Sequence, residues 1–272
     1  MREVTSRPES WPLDDRGAAY GDGLFETVLL RDGEPQLWDA HLGRLAKGCE
    51  VLAIPLPARA ALEEPLAAAG KGLQVLKLML TRGSGGRGYQ LPAKPEPRLR
   101  WRLAPFVPMS DHWASGVRIR HCALRLGIQP TLAGLKHLNR LENVLARAEW
   151  STPKVAEGVL CDAEGRLVEA TCMNLFWQRH GRLETPRLDR CGVAGTLREA
   201  LRQRVSLHEV ESDPAVLENA EAVWLGNSLQ GLWPVARLDD AQGRELMRWK
   251  IGPRHRPLQA EAHALLGHPL FT

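Results

Sequence analysis

The run from Leu24 to Leu30, carrying Phe25 and Val28, has strand character, and Arg31-Asp32-Gly33-Glu34 supplies a turn into a second short strand ending near Trp38. From Asp39 the period changes. Leu42, Leu45, Ala46, Cys49 and Leu52 fall at helical spacing, with Asp39 placed to cap the start. The pattern predicts a second helix over Ala58 to Ala69, stopped by Gly70, and a strand over Leu73 to Thr81. The stretch Arg82-Gly83-Ser84-Gly85-Gly86-Arg87-Gly88-Tyr89 reads as loop, and Arg98 to Val107 as strand. Pro105-Phe106-Val107-Pro108-Met109-Ser110 has the composition of a linker between domains, which places a cut near residue 109.

Beyond that cut the chain is richer in strands. Val117, Ile119, His121 and Ala123 alternate with basic residues as in a half-buried strand, and Leu141, Val144, Leu145 and Ala148 mark a helix after Lys136. Two antiparallel hairpins are expected around the turns Asp162 to Gly165 and Arg179 to Gly181, the second flanked by Asn174 to Trp177 and Leu183 to Thr185. Helices return at Thr196 to Val205, at Pro214 to Asn219 and near the C-terminus, with an apolar strand at Ala222 to Leu225. Strand clusters mixed with helices, without steady alternation, point to an α+β fold rather than a doubly wound parallel sheet. There is no internal repeat.

Composition narrows the function classes. The 272 residues, 44% hydrophobic and 25% charged, suffice for one large or two smaller domains, and the net charge of +4 is dispersed rather than gathered in a basic block. Dispersed charge argues against a nucleic-acid role and suits a small anionic substrate. Five cysteines, at 49, 122, 161, 172 and 191, form no Cys-x-x-Cys pair and no metal-ligand spacing with histidine, so the expectation is a reducing cytosol and no metal. MREVTSRPESWPLDD has no apolar core, and no stretch approaches the length of a membrane span.

Of 36 basic residues few are lysines, at 47, 71, 77, 94, 136, 154 and 250, which makes each worth inspecting. Lys136 lies in the apolar-flanked segment Thr131 to Asn139, where desolvation favours the neutral amine that a Schiff base or a proton-transfer base requires. A lysine of this kind more commonly packs its stem and keeps its charge in solvent. Glu169 ends the second strand of a hairpin, where a carboxylate could turn into a cleft or simply remain exposed. Gly192 to Arg198 reads as a loop opening a helix, which offers N–H groups to an anion, and Asn227-Ser228 follows a strand with an amide and a hydroxyl. The glycine-rich loop lacks the Gly-Lys-Ser/Thr ending of a P-loop.

Singly these signals are weak; their order is specific. Tyr20-Gly21-Asp22-Gly23-Leu24-Phe25-Glu26-Thr27, His41-Leu42-Gly43-Arg44-Leu45, Gly134 to Glu142, Glu169 to Phe176, Gly195-Thr196-Leu197-Arg198 and Asn227-Ser228 together resemble the fold type IV family of pyridoxal-phosphate enzymes over nearly the whole chain. That family includes branched-chain aminotransferases, D-amino-acid aminotransferases and aminodeoxychorismate lyases. The resemblance implies a two-domain α+β fold like that of D-amino-acid aminotransferase, with a small α/β domain (1–108), a larger strand-rich domain (109–272) and pyridoxal 5'-phosphate in the cleft between them.

It further implies that Lys136 carries the cofactor and is the catalytic residue, that Glu169 pairs with the pyridine nitrogen, and that Arg44 binds the phosphate. Backbone groups of Thr196 and Leu197 and the side chain of Ser228 complete the phosphate site. Aminotransferase relatives often have threonine where this chain has Leu197, and Asn227 is the residue expected to compensate for the missing hydroxyl. Thr81 to Tyr89 and Leu135 to Leu141 resemble the aminodeoxychorismate lyases of the family more than its aminotransferases. The implied reaction is conversion of 4-amino-4-deoxychorismate to 4-aminobenzoate and pyruvate in folate biosynthesis, by a cytoplasmic homodimer. By location, Arg82, Arg87 and Tyr89 are the candidates to bind the substrate's carboxylates. The rival readings are an aminotransferase for branched-chain or D-amino acids and, more remotely, a non-catalytic anion-binding protein.

Overall fold

Asp32 and Gly33 both take positive φ, 52° and 90°, the geometry of a two-residue hairpin turn whose twist matches its strands. They join β2 (Gly23–Arg31) to β3 (Glu34–Pro35) in a computed structural model that describes the backbone of 5–6 and all of residues 11–270. The N-terminal stretch 1–10, expected to lack an apolar core, lies outside the residues whose side chains are described.

The chain divides into two compact units, 1–107 with 135–139, and 108–134 with 140–272. The small unit comprises β1 (Thr5–Ser6), α1 (Arg16–Tyr20), β2, β3, α2 (Trp38–Leu52), α3 (Arg59–Glu63), β4 (Leu73–Thr81) and β5 (Arg98–Pro105). Its sheet runs β1-β5-β4-β2-β3, antiparallel throughout. β2 and β4 pair over their full length, from Gly23 opposite Thr81 to Arg31 opposite Leu73. Leu24 and Leu80 bury one face of this pair against Leu45 and Cys49 of α2. The approach is close: a Cβ at Gly48 would stand 2.7 Å from Leu24 Cδ2.

Several element boundaries differ from those the sequence predicts. The second strand is over by Pro35, and Trp38 opens α2 instead of closing a strand, after Leu37 enters the left-handed region (φ 55°). Asp39 therefore sits inside the first turn and caps nothing with its side chain, although its charge still favours the helix N-terminus. The helix expected over Ala58 to Ala69 is broken, because Pro65 has no N–H to donate back to Ala61, and the chain continues from Glu64 to Ala68 as a 3-10 helix. α1 has no counterpart among the elements the sequence pattern predicts.

The large unit comprises α4 (Ser110–Ser115), β6 (Val117–Leu126), α5 (Leu141–Arg147), β7 (Glu157–Asp162), β8 (Leu167–Ala170), β9 (Asn174–Arg179), β10 (Arg182–Pro186), α6 (Thr196–Arg202), β11 (Leu207–Val210), β12 (Ala222–Asn227), β13 (Gly231–Asp239), β14 (Glu245–Arg248) and α7 (Arg256–Leu266). Its mixed sheet runs β11-β10-β9-β12-β13-β6-β7-β8, with β14 also on β13. The two expected hairpins are β7–β8 and β9–β10. Trp177, Trp224 and Phe176 are fully buried at its centre. Trp177 Nε1 donates to Glu184 at 2.7 Å and Trp224 Nε1 to His255 O at 3.2 Å, so neither indole leaves an unmet donor.

α6 ends at Arg202, short of Val205, and Pro214–Asn219 forms a 3-10 helix. α5 forms where expected but turns its apolar stripe outward: Leu141, Val144 and Leu145 are exposed, while Ala146 is buried.

Candidate active site

Within the small unit, the segment 135–139 lies along the start of β2. Phe25 N donates to Lys136 O and Leu138 N to Gly23 O, each at 3.0 Å, with His137 bridged antiparallel to Leu24. This main-chain pairing places the Lys136 side chain, whose Nζ lies 4.3 Å from the centre of the Phe25 ring.

One residue further along β2, Glu26 points into the interior at 1% exposure, in phase with Leu24 and Val28. Its carboxylate meets two residues of α2 spaced one turn apart: His41 Nδ1 at 2.6 Å, and Arg44, which donates from Nε at 2.8 Å and Nη2 at 2.5 Å. Burial alone would raise the Glu26 pKa, but the charges of Arg44 and His41 and their hydrogen bonds outweigh it and hold it at about 2. His41 moves down: burial disfavours its cation, and Arg44 and Lys136 add to that effect against the pull of Glu26. Lys136 and Arg44 thus stand in one electrostatic neighbourhood, with Arg44 fixed bidentately by Glu26.

Arg82 is a different case, and its assignment to substrate does not fit. It is 3% exposed, donates to Asp22 at 2.7 and 3.0 Å, and binds the carbonyls of Leu52 and Ala53 at 2.6 and 2.8 Å. These carbonyls close α2, so Arg82 is a cation on a helix C-terminus. Arg87 and Tyr89 are exposed on the loop, and the Tyr89 ring packs edge-on to Tyr20 at 5.4 Å.

Within the large unit, Glu169 near the end of β8 is buried, at 4% exposure, rather than an exposed strand-end charge. Its Oε2 accepts the Val193 N–H at 2.8 Å. Gly192, at φ 84°, lets that loop close in, since a Cβ there would stand 2.6 Å from Val168 Cγ1 and 3.4 Å from Glu169 Oε2. Asn174, opening β9, donates to Val193 O at 2.9 Å and lies against Gly195, where a Cβ would come within 1.9 Å of its Oδ1. The same loop leads into α6, with Thr196 and Leu197 buried in its first turn.

β12 pairs with β9 so that Gly226 faces Asn174, which brings the turn at Asn227-Ser228 to the same strand ends. Asn227 is committed to that turn. Its Oδ1 accepts from Leu229 and Gln230 N–H at 3.0 and 2.8 Å, and its Nδ2 donates to Cys172 O at 3.3 Å. Its side chain therefore shapes the turn, and does not stand in for the hydroxyl that Leu197 lacks. The structure thus gathers Lys136 and Arg44 in one unit and, in the other, sets Glu169, Thr196, Leu197 and Ser228 around the loop 192–195 and the strand ends it packs on.

Sequence reasoning assigned no role to Glu26, His41 or Asn174. The signal existed for two of them: a charged residue in the inward phase of an apolar strand, and a histidine one helical turn before Arg44.

A family model for class IV aminotransferases matches residues 23–238, most of the chain. The chain belongs to the class IV aminotransferase family. Its relatives within the family include the aminodeoxychorismate lyase of Vibrio harveyi, 34% identical over 91% of this chain and 94% of that protein. Among solved structures it is similar to 4-amino-4-deoxychorismate lyase from Pseudomonas aeruginosa, at 44% identity and TM-score 0.84, covering 96% of this chain and 98% of that one. It is also similar to a fold IV transaminase, CpuTA1, from Curtobacterium pusillum, at 26% identity and TM-score 0.78, over 96% and 91% of the two chains. The α+β chain therefore has the type IV fold.

Members of this class IV family are pyridoxal-phosphate enzymes, and the donor set here suits that group. The small unit offers an amine and an arginine, and the large unit a buried carboxylate, a glycine-led helix start and a serine, the residue types that an aldehyde, a pyridine nitrogen and a phosphate call for. Among the described residues there is no cluster that could hold a metal ion, and no helix long and apolar enough to cross a membrane.

Proposed function

We propose that this class IV protein is a lyase that converts 4-amino-4-deoxychorismate to 4-aminobenzoate and pyruvate, with pyridoxal 5'-phosphate as cofactor. The observation that carries the reading is the 44% identity, over nearly the full length of both chains, to the Pseudomonas aeruginosa lyase. The residue chemistry supports it. Pyridoxal phosphate, when bound, supplies an aldehyde that takes up the substrate amine and a ring that accepts the charge left by proton loss.

Lys136 is the residue for both the cofactor's aldehyde and the proton on the amine-bearing ring carbon of the substrate. Once the substrate amine is bound, its Nζ would be the base that removes that proton. The enolpyruvyl group then departs, the substrate ring becomes aromatic, and a proton returned to the enol gives pyruvate. Glu169 would hold the pyridine N–H, a role suited to a buried carboxylate already oriented by the Val193 N–H. Arg44, the N–H groups of Thr196 and Leu197, and the hydroxyl of Ser228 would receive the phosphate. Arg87 and Tyr89 are the exposed loop groups for the substrate's carboxylates.

On the family resemblance we also propose a cytoplasmic homodimer. The outward stripe of Leu141, Val144 and Leu145 on α5 supports an assembly that would cover it.

The test records the absorbance of one portion of the purified protein before and after borohydride reduction, and offers aminodeoxychorismate to an untreated portion without any oxo-acid acceptor. Release of 4-aminobenzoate and pyruvate, with a reduced adduct mapped to Lys136, is the expected result. An adduct without those products, and amino transfer to an oxo acid, would replace the lyase by an aminotransferase; failure to bind the cofactor would end the reading.

A further inference from the structure

The glycine-rich loop after β4 has a shape that glycine permits but does not hold. Gly83 and Gly86 sit at φ 87° and 79°. A Cβ would come within 2.0 Å of Glu96 O at the first and 2.1 Å of Gln90 O at the second. Glycine makes such a conformation accessible at the cost of many alternatives in the free chain.

What selects one of them is Arg16, on the α1 turn. Its Nη1 donates to the carbonyls of Gly85, Gly88 and Gln90 at 3.3, 3.0 and 3.2 Å, and its Nη2 to Tyr89 O at 3.4 Å. Its own N–H donates to Gly83 O at 2.9 Å. On the other edge Nε donates to Asp22 at 2.9 Å, and the guanidinium covers the Tyr20 ring at 5.0 Å. The residue is 4% exposed. A guanidinium is flat and carries its donors in a fixed fork, so carbonyls gathered around it share one arrangement. Burial would push the Asp22 pKa up, but hydrogen bonds from Arg82 and Arg16 and their charges bring it below its ordinary value, so both arginines keep a charged partner.

We propose that Arg16 is a positioning residue for substrate specificity: through four loop carbonyls it presets the glycine-rich loop so that Arg87 and Tyr89 meet a small substrate bearing carboxylates. The inference rests on the lyase reading and on the loop's part in it. Arg16 itself does not touch the substrate. If the loop is not preset, its ordering must accompany binding, and that cost falls on the substrate constant rather than on the chemical step.

The experiment compares native holoenzyme with Arg16→Ala and Gly86→Ala. The second substitution disturbs the same contacts from the loop side, because its Cβ would stand 2.1 Å from Gln90 O and 3.2 Å from Arg16 Nη1. Hydrogen exchange of a peptide covering 83–91, steady-state kinetics and cofactor dissociation are measured on each folded variant. Both should exchange faster in that peptide, with KM raised about 10-fold, kcat within about twofold, and cofactor dissociation unchanged. Unchanged exchange, or faster exchange with an unchanged KM, would overturn the proposal. Should Arg16→Ala fail to fold, Arg16→Lys, which keeps the charge beside Asp22 but not the planar fork, decides by the same three measurements. A native protein without lyase activity would sink the functional reading and the specificity claim with it, while exchange would still report whether Arg16 sets the loop's shape.

Discussion

In the small unit, Arg44 is aimed by Glu26, a buried carboxylate that also orients His41, and all three owe their geometry to one another's charge. In the large unit, Glu169 is aimed by the main-chain N–H of Val193, and the loop supplying that N–H is shaped by glycines at 192 and 195 and by the Asn174 amide. One half is a network of ionisable side chains; the other is backbone held by strand register and close packing. The difference teaches where each is vulnerable. A charge network answers to pH and to any change in its members, whereas a backbone cradle answers to added volume and loses little when one polar contact is removed.

Removing Lys136 should have the largest effect. Lys136→Ala is expected to lower lyase turnover by at least ~1,000-fold and to abolish borohydride labelling at that position. Turnover close to native would move the proton-transfer role elsewhere.

Next comes Glu26→Gln, which leaves Arg44 beside a neutral partner in a buried place. A loss of about 3 kcal/mol in urea unfolding is expected. The pH dependence has a definite sign. The folded-state pKa of Glu26, about 2, lies below its ordinary 4.5, so its contribution to stability is full above 4.5 and is lost as pH falls towards 2. The variant should lack that part of the acid limb, and an identical acid profile would show that the network stores no such stability.

Glu169→Gln keeps the size of the side chain and an acceptor for Val193 but removes the charge. Turnover should fall about 30-fold while unfolding stability stays near native, the signature of a scaffold that does not depend on that charge. A stability loss as large as that of Glu26→Gln would erase the contrast between the two halves. Smallest is Ser228→Ala, expected to weaken cofactor binding about fivefold, one hydroxyl's worth, by equilibrium dialysis. A loss of a hundredfold would make the hydroxyl an anchor and not one contact among several.

Much of this was legible in the sequence because it is written in short-range signals. The Asp-Gly turn, the inward alternation of β2, the helical period of Leu42, Leu45 and Cys49, and the ordered motifs around Lys136, Glu169 and Thr196 all act over a few residues. What escaped depends on contacts far apart along the chain. Arg82 looks like a loop cation until Leu52 and Ala53 are seen to need a donor, thirty and twenty-nine positions away. Asn227 looks available until Leu229, Gln230 and Cys172 claim it. Arg16 begins a helix too short to have a period. The outward stripe on α5 shows the converse: period identified the helix, but not which way its apolar face would turn.

The segment 135–139 links the site to the order in which the protein is made. Leu138 N and Lys136 O complete the pairing of Gly23 and Phe25, yet they are encoded after the whole of 108–134. A nascent chain can have all of 1–107 outside the ribosome and still lack the strand-like edge that finishes its first sheet. The small unit reaches its final form late in synthesis, and the same event that closes it delivers Lys136. A chain halted before residue 135 is therefore not only incomplete but without the residue on which its chemistry turns.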